Sequence, residues 1–442
     1  AAFDGGTVSS DGGALLLKRT DEAIDLIDRL ARCFRDARNP QAIEHSVRTL
    51  IGQRVFGMAL GYEDLNDHES LRYDPVRGAL IGKLEAKRKD CAPLAGKSTL
   101  NRLELHPLAG VSRYHKIRPD PEAIERLFVE LFLDAHASAP DEIVLDLDAT
   151  DDPLHGHQEG RFFHGYYDGY CYLPLYIFCG EHLLVAKLRR SNIDGAAGAR
   201  EEVERIVGQI RARWPDTRII LRADSGFARE ELMHWCEQHA VDYVFGLARN
   251  SRLERAIGAE LNAAAAESAQ TGRPARRFKD LVYRTRKSWS RPRRVVGKAE
   301  QTGDKANPRF VVTSLSDPSP EALYRDLYCA RGQDENFIKA VKNDLASDRT
   351  SDHTFLANHL RLFYACAAYS LIHSLRENTL CHTELARAQP MSIILKLFKL
   401  AVRVVQYKDR IKLHLPSACP VKGLLHRVSE LLYLVHPPPL RS

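Results

Sequence analysis

The chain has 442 residues, 44% of them hydrophobic and 28% charged, with a formal net charge of +6. These are the proportions of an ordinary soluble protein with a sizeable core and two or three domains, and the mild basic bias is compatible with nucleic acid without being diagnostic of it. Nine scattered cysteines, odd in number and with no C-x-x-C pair, exclude a disulfide scaffold and a zinc finger and point to a reducing cytosol.

The opening AAFDGGTVSSDGGALLL has no basic segment leading into an apolar run, so no signal peptide is expected. It starts on alanine, so further residues are expected to precede it. Residues 1–140 read as an all-helical, DNA-binding domain. Ser10-Asp11 is placed to cap a helix at 14–17, and residues 41–60 carry Ile43, Val47, Leu50, Ile51, Val55 and Met58 at helical spacing. KSTLNRL, residues 97–103, predicts a short helix displaying Asn101 and Arg102, side chains that can read a DNA groove or simply face solvent.

The texture changes at Pro140. EIVLDLDAT (142–150) predicts a strand buried on both faces, followed by strands at 170–180 and 182–191. An amphipathic helix at 196–214, a strand at 218–224 (RIILRAD), a helix at 229–239 and a strand at 242–248 complete an α/β domain with a mixed sheet, residues 141–249. Residues 250–318 hold an alanine-rich helix and then a basic, β-rich insertion. Between Arg273 and Lys298 stand eleven Lys or Arg and one acid, Asp280, with Phe278, Tyr283 and Trp289 interleaved. A helix at 320–346 and another at 354–376 form a second part of the core, residues 319–380. The C-terminal region is 381–442. The apolar stretch 360–375 is interrupted by Arg361 and His373, so it reads as a buried helix and no membrane span is expected.

The densest chemistry lies in YCARGQDENFIKAVK, residues 328–342. At about 100° per residue, Arg331, Glu335 and Lys342 fall about −60°, −20° and −40° from Tyr328, on one narrow helical face. A phenol, a guanidinium, a carboxylate and an ammonium make a poor core stripe. They suit a helix that gives one metal ligand and meets phosphates with its cations, although a solvated face with a Glu335–Lys339 pair has the same pattern. Two more acids stand at strand ends, Asp148 and Asp224. Three gathered carboxylates repel by about 4 kcal/mol per pair at about 4 Å and a dielectric of about 20, a cost that hard divalent cations offset. Periodicity does not choose Asp148 over Asp146, which shares its face. Asp151 and Asp152 are loop alternatives, and Asp224 could equally form an Asx turn with Ser225-Gly226. His155, His157 and Glu159 form a weaker, metal-like cluster, and Tyr166 and Tyr167 stand in the same loop region.

Tyr328, Arg331, Glu335 and Lys342 fit Y-x2-R-x3-E-x6-K, the signature of one branch of the DDE insertion-sequence transposases. Together with SSDGGALLL, DLDATDDPLHGHQEG, FHGYYDGYCYLPL and LRADSGFARE, the chain resembles the family of insertion sequence 1380 over nearly its whole length. The resemblance implies an RNase H-like catalytic domain with a β-rich insertion. It implies cutting at inverted-repeat transposon ends and joining to target DNA, both double-stranded, by a protein dimeric on paired ends and acting in the bacterial cytoplasm at the nucleoid. Asp148, Asp224 and Glu335 would hold two Mg²⁺ ions, with Mn²⁺ as a substitute. Tyr328, Arg331 and Lys342 would contact phosphate. Trp289 would stack an unpaired base amid Arg291, Arg293 and Arg294. The rival readings are a metal-dependent nuclease that joins nothing, a domesticated DNA-binding protein without catalysis, and a glycosidase using Asp148 and Glu335, which the basic stripe disfavours.

Overall fold

The computed structural model describes the chain except residues 1, 3, 106–113, 318, 408, 409 and 436–442. It divides into two compact units interleaved in sequence: Ala1–Leu131, Asp152–Arg161 and Ile338–Ser442 make one, and Phe132–Asp151 and Phe162–Phe337 the other. The division differs from the consecutive segments expected. Residues 152–161 and everything after Phe337 group with the N-terminal part, so the expected Glu-bearing helix is shared between units.

The second unit is built on a mixed sheet. Its strands are β1 (Glu142–Ala149), β2 (Leu175–Cys179), β3 (His182–Lys187), β4 (Arg218–Ala223), β5 (Asp242–Leu247), β6 (Ala275–Tyr283), β7 (Arg293–Thr302) and β8 (Arg309–Thr313). The order is β6-β7-β8-β5-β4-β1-β2-β3, with Lys305–Ala306 as a ninth short strand on β7. β1, β4 and β5 run parallel to one another, and the other neighbours are antiparallel. Leu145 and Leu147 of β1 are fully buried. Helix α1 (Ala199–Arg213) buries Val203, Ile206, Val207 and Ile210, the i, i+3, i+4, i+7 stripe that the sequence advertises, each contributing roughly 1.5–3 kcal/mol. Helix α2 (Glu230–Gln238) follows β4.

One local difference from expectation has a clear cause. The strand expected at 170–180 is broken before β2 at Pro174, which has no N–H to give to a ladder, and its first part, Gly169–Tyr172, pairs instead with Phe162–His164. In the insertion β8 pairs with β5, so β6, β7 and β8 extend the central sheet.

The first unit is mostly helical. Its helix Val47–Ala59 is buried on nearly every side, including Arg54, which is 0% exposed and donates to Glu104 at 2.5 Å. Glu104 also accepts from Arg361, so the buried carboxylate has two cationic partners. Three short strands correct the all-helical expectation for residues 1–140. Phe34–Asp36 pairs with Ile117–Pro119, and Val8–Ser9 pairs with Val402–Gln406. Ser10-Asp11 is not a helix cap. Helix Leu15–Ile24 starts without side-chain capping, while the buried Asp11 carboxylate holds Arg77 at 3.1 Å and Lys399 at 3.0 Å. A Cβ on Gly13 would lie 1.7 Å from the Leu397 carbonyl oxygen, so the GG of SSDGGALLL is a close backbone packing point.

Candidate active site

Asp148 and Asp224 stand at the same end of the parallel pair β1 and β4. Arg222 is the cross-strand partner of Asp146, and the ladder ends one step on, at Leu147 with Ala223; continuing that register past the strand end sets Asp148 beside Asp224, a second rung outside the ladder whose two charges act on each other. The first rung is neutralised: Arg222 gives Nε to Asp146 at 2.5 Å and Nη2 at 2.7 Å, a bidentate pair. The second rung sets two like charges together. That difference separates Asp146 from Asp148, which strand periodicity alone leaves equivalent.

One oxygen of each acid in the second rung is held by backbone. Asp148 Oδ1 accepts from Ala149 N at 2.8 Å and Asp224 Oδ1 from Gly226 N at 2.8 Å. The Asx turn weighed for Asp224 is therefore present, and it orients the carboxylate. Burial pushes Asp148 up to about 6, and the charges of Asp224 and Glu335 push the same way, against the Ala149 N–H and Arg331. Glu335, exposed in the turn Asp334–Lys339, thus lies in the field of the two strand-end acids.

Residues 320–344 do not form the regular α-helix expected. Leu323–Tyr328 is wound as a π-helix, Cys329–Gln333 as a 3-10 helix, Asp334–Lys339 as an α-helix and Ala340–Asp344 again as a π-helix. The constant 100° step therefore fails. Tyr328 and Arg331 are nevertheless near enough for each charge to act on the other. Burial works against the Arg331 charge, but Tyr328, Asp148 and Asp224 outweigh it and hold the guanidinium firmly charged. A Cβ on Gly246 of β5 would lie 2.6 Å from the Tyr328 hydroxyl and 2.9 Å from Ser225 N, so only glycine admits the phenol this close to the Asp224 turn. Lys342 lies in the first unit, 3.6 Å from the fully buried Asp152.

Sequence reasoning missed two groups here. Arg222 also donates Nη1 to the Leu327 carbonyl at 2.7 Å, tying the π turn before Tyr328 to the sheet. Its place two residues before Asp224, matching Asp146 two before Asp148, was the available signal. Asp334 is 2% exposed, and neither carboxylate oxygen has a hydrogen-bond partner. Burial first, then the charges of Asp146 and Asp148, push it well above the usual range.

The insertion departs most from expectation. Trp289 is 4% exposed, edge-on to Tyr283 at 5.7 Å and 5.3 Å from the Arg293 guanidinium, with no open face for a base. Arg293 is buried and paired with both Glu230 and Glu237 at 2.6 Å. Arg291 pairs with Glu237 at 3.0 Å, and Arg294 pairs with Asp280 at 2.7 Å and donates to the Leu315 carbonyl. Trp289 and these arginines fix the insertion onto α2 and the sheet. The exposed cations of the stripe are Arg273, Arg276, Arg277, Arg284, Arg286, Lys287 and Arg291, and of these Arg286 and Lys287 stand on the turn between β6 and β7. Of the weaker cluster, Glu159 accepts from Phe355 N at 3.1 Å, a helix N-terminus, which gives it a structural task.

A pH experiment follows from Asp148. Its folded pKa is raised from 3.8 to about 6, so its contribution to stability is full below 3.8 and lost as pH rises through about 6. About two pKa units correspond to about 3 kcal/mol. Without divalent cation, Asp148→Asn is expected to melt a few degrees above wild type at pH 7.5 and level with it at pH 4. Mg²⁺ should raise the wild-type melting temperature and leave the variant unmoved. A variant that melts lower at both pH values would make Asp148 a structural acid.

The family model described as "Transposase DDE domain group 1" matches residues 1–436. Among curated proteins, none matches. A solved structure similar to this chain is the "Cryo-EM structure of piggyBac transposase synaptic complex with hairpin DNA". It is 11% identical, with 98% of this chain and 87% of that chain covered and a TM-score of 0.42. At that score the likeness carries no weight for the site.

Proposed function

This chain belongs to the transposase DDE domain group 1 family, and from that premise we propose that it cuts DNA at the inverted-repeat ends of its own element and joins them to target DNA. The observation that carries the reading is the second rung. Asp148 and Asp224 stand together beyond a rung that is neutralised, with Glu335 in their field and Arg331 and Tyr328 beside them. A purely structural site would pair its acids, as Asp146 is paired. Three such carboxylates are the donor set for hard divalent cations, Mg²⁺ or Mn²⁺. Two ions held by Asp148, Asp224 and Glu335 would supply activation of the attacking oxygen and stabilisation of the leaving one.

The chain's own groups do the positioning. Arg331, kept charged beside Tyr328, Asp148 and Asp224, is set to meet the phosphate next to the acids. Asp334, buried against Asp146 and Asp148, has its carboxyl pushed above the usual range by that burial. Arg286 and Lys287, on the turn between β6 and β7, are among the exposed cations of the insertion that could meet the DNA backbone. The order β3-β2-β1-β4-β5, antiparallel then parallel, supports an RNase H-like core, and the sequence motifs support the branch of insertion sequence 1380. Paired ends call for a homodimer.

The test is an end-labelled duplex carrying the element's terminus, incubated with supercoiled plasmid and Mg²⁺. The expected products are a cut end and a labelled plasmid covalently joined to it. Cutting without joining would make the protein a nuclease. Binding with neither would make it a DNA-binding protein that has lost catalysis.

A further inference from the structure

Among its described residues the second unit buries four carboxylates outright, Asp146, Glu202, Glu300 and Asp334. Three of them are matched by cations. Asp146 engages Arg222 with both oxygens, Glu202 holds Lys187 and Arg205, and Glu300 holds Lys298 at 2.6 Å. Asp334 is the exception. It is 2% exposed, and neither of its oxygens has a hydrogen-bond partner among the described residues. A carboxylate is costly to bury in that state and calls for a group that completes it.

The turn that carries it faces the strand-end acids. Asp334 and Phe337 stand three residues apart on the helical turn Asp334–Lys339 and so share a face. The Phe337 ring lies 5.8 Å from that of Phe178, and Phe178 is the cross-strand partner of Asp146. The face bearing Asp334 is thereby laid on β1 and β2, two residues before Asp148. The charges of Asp146 and Asp148 both act on Asp334, while those of Arg222 and Arg331 reach it without a hydrogen bond. Glu335, the next residue, is exposed, and its charge acts on Asp148 as well. About 100° of helical turn separates the two side chains. Asp148 is therefore flanked by one acid from the protein interior and by another from the solvent side.

On the reading that Asp148, Asp224 and Glu335 hold divalent cations, we infer that Asp334 is a fourth carboxylate of that centre, beside Asp148 on its buried side. Hard divalent cations take about six oxygens or more, so three carboxylates leave places to fill. Two oxygens that no N–H or O–H satisfies are donors of the right chemistry, already stripped of water. Two divalent ions carry four positive charges, which four carboxylates balance and three do not. Asp146, almost equally buried, is disqualified by Arg222, which occupies both its oxygens. The metal-free protein carries Asp334 at a cost that the cation relieves.

The test titrates Mn²⁺ into the full-length protein, reads the free ion by electron paramagnetic resonance, and records melts in chelator and in Mn²⁺. Asp334→Asn and Asp334→Leu should bind Mn²⁺ ~10-fold or more weakly than wild type. In chelator both should melt no lower than wild type, because the unsatisfied group is gone. Mn²⁺ should raise their melting temperature less than that of wild type. Asp146→Asn should bind Mn²⁺ as wild type does. Wild-type Mn²⁺ affinity in both Asp334 variants would overturn the fourth ligand, and a parallel assay showing wild-type nicking in Mg²⁺ would leave the three-acid centre standing. Weaker binding joined to a lower melt in chelator, a defect of folding, would overturn it too. A wild type that neither takes up Mn²⁺ nor nicks the end would overturn both readings.

Discussion

Asp224→Asn is expected to abolish nicking of the element's end, by more than ~10³-fold, while binding of the same DNA survives or tightens. Among the described residues the carboxylate's hydrogen-bond partner is its own turn, through Gly226 N, and asparagine's Oδ1 can accept that hydrogen bond as well. The turn should therefore keep its shape. What is lost is one negative donor to the cations, and each such contribution to a phosphoryl-transfer transition state is worth several kcal/mol, about 1.4 kcal/mol per decade of rate. Removing a negative charge next to a phosphate also removes repulsion, so affinity should not fall. Gel-shift and cleavage assays on one preparation separate the two. Parallel loss of binding and cutting would show that Asp224 holds the fold.

The second large effect is expected at the neutral rung. Arg222→Met leaves Asp146, 3% exposed, without its bidentate partner and should cost about 3–5 kcal/mol of stability. The double variant Asp146→Leu, Arg222→Met removes both charges and should recover most of that loss, read by denaturant melts. It should not recover nicking, because the tether from Arg222 to the Leu327 carbonyl is gone and Tyr328 and Arg331 follow directly. Asp146→Asn with Arg222 intact should keep nicking within ~10-fold of wild type at low temperature. If Asp146→Asn instead kills cutting as fully as Asp224→Asn, Asp146 is a ligand and the rungs have been assigned in the wrong order.

Much of the second unit was legible because its signals are local and periodic. The strand at EIVLDLDAT, the helix over residues 199–213 and RIILRAD each announce their period and their ends within a few residues. The acids at the strand ends followed from the same reading. What was not legible depends on pairing across the sheet or on departures from an ideal helix. Nothing within 323–344 announces π turns, so an even angular step grouped Lys342 with Tyr328, and Asp152 is the partner Lys342 found. A basic stripe with a tryptophan looks the same whether it faces DNA or knits an insertion to a helix. The partners Glu230 and Glu237 lie more than fifty residues before Arg293, where no local pattern connects them. Asp146 and Arg222 could have been matched by their equal offsets from Asp148 and Asp224, once the two strands were known to be parallel neighbours.

The most direct test of the acid cluster as a metal-dependent cutting centre is nicking of a labelled duplex carrying the element's end. Wild type and Glu335→Gln would be compared in Mg²⁺, in Ca²⁺ and in chelator. The expected result is a nick at the end by wild type in Mg²⁺ alone, with none from Glu335→Gln in any buffer although both proteins bind. Equal nicking by Glu335→Gln, or cutting by wild type in chelator, would contradict it.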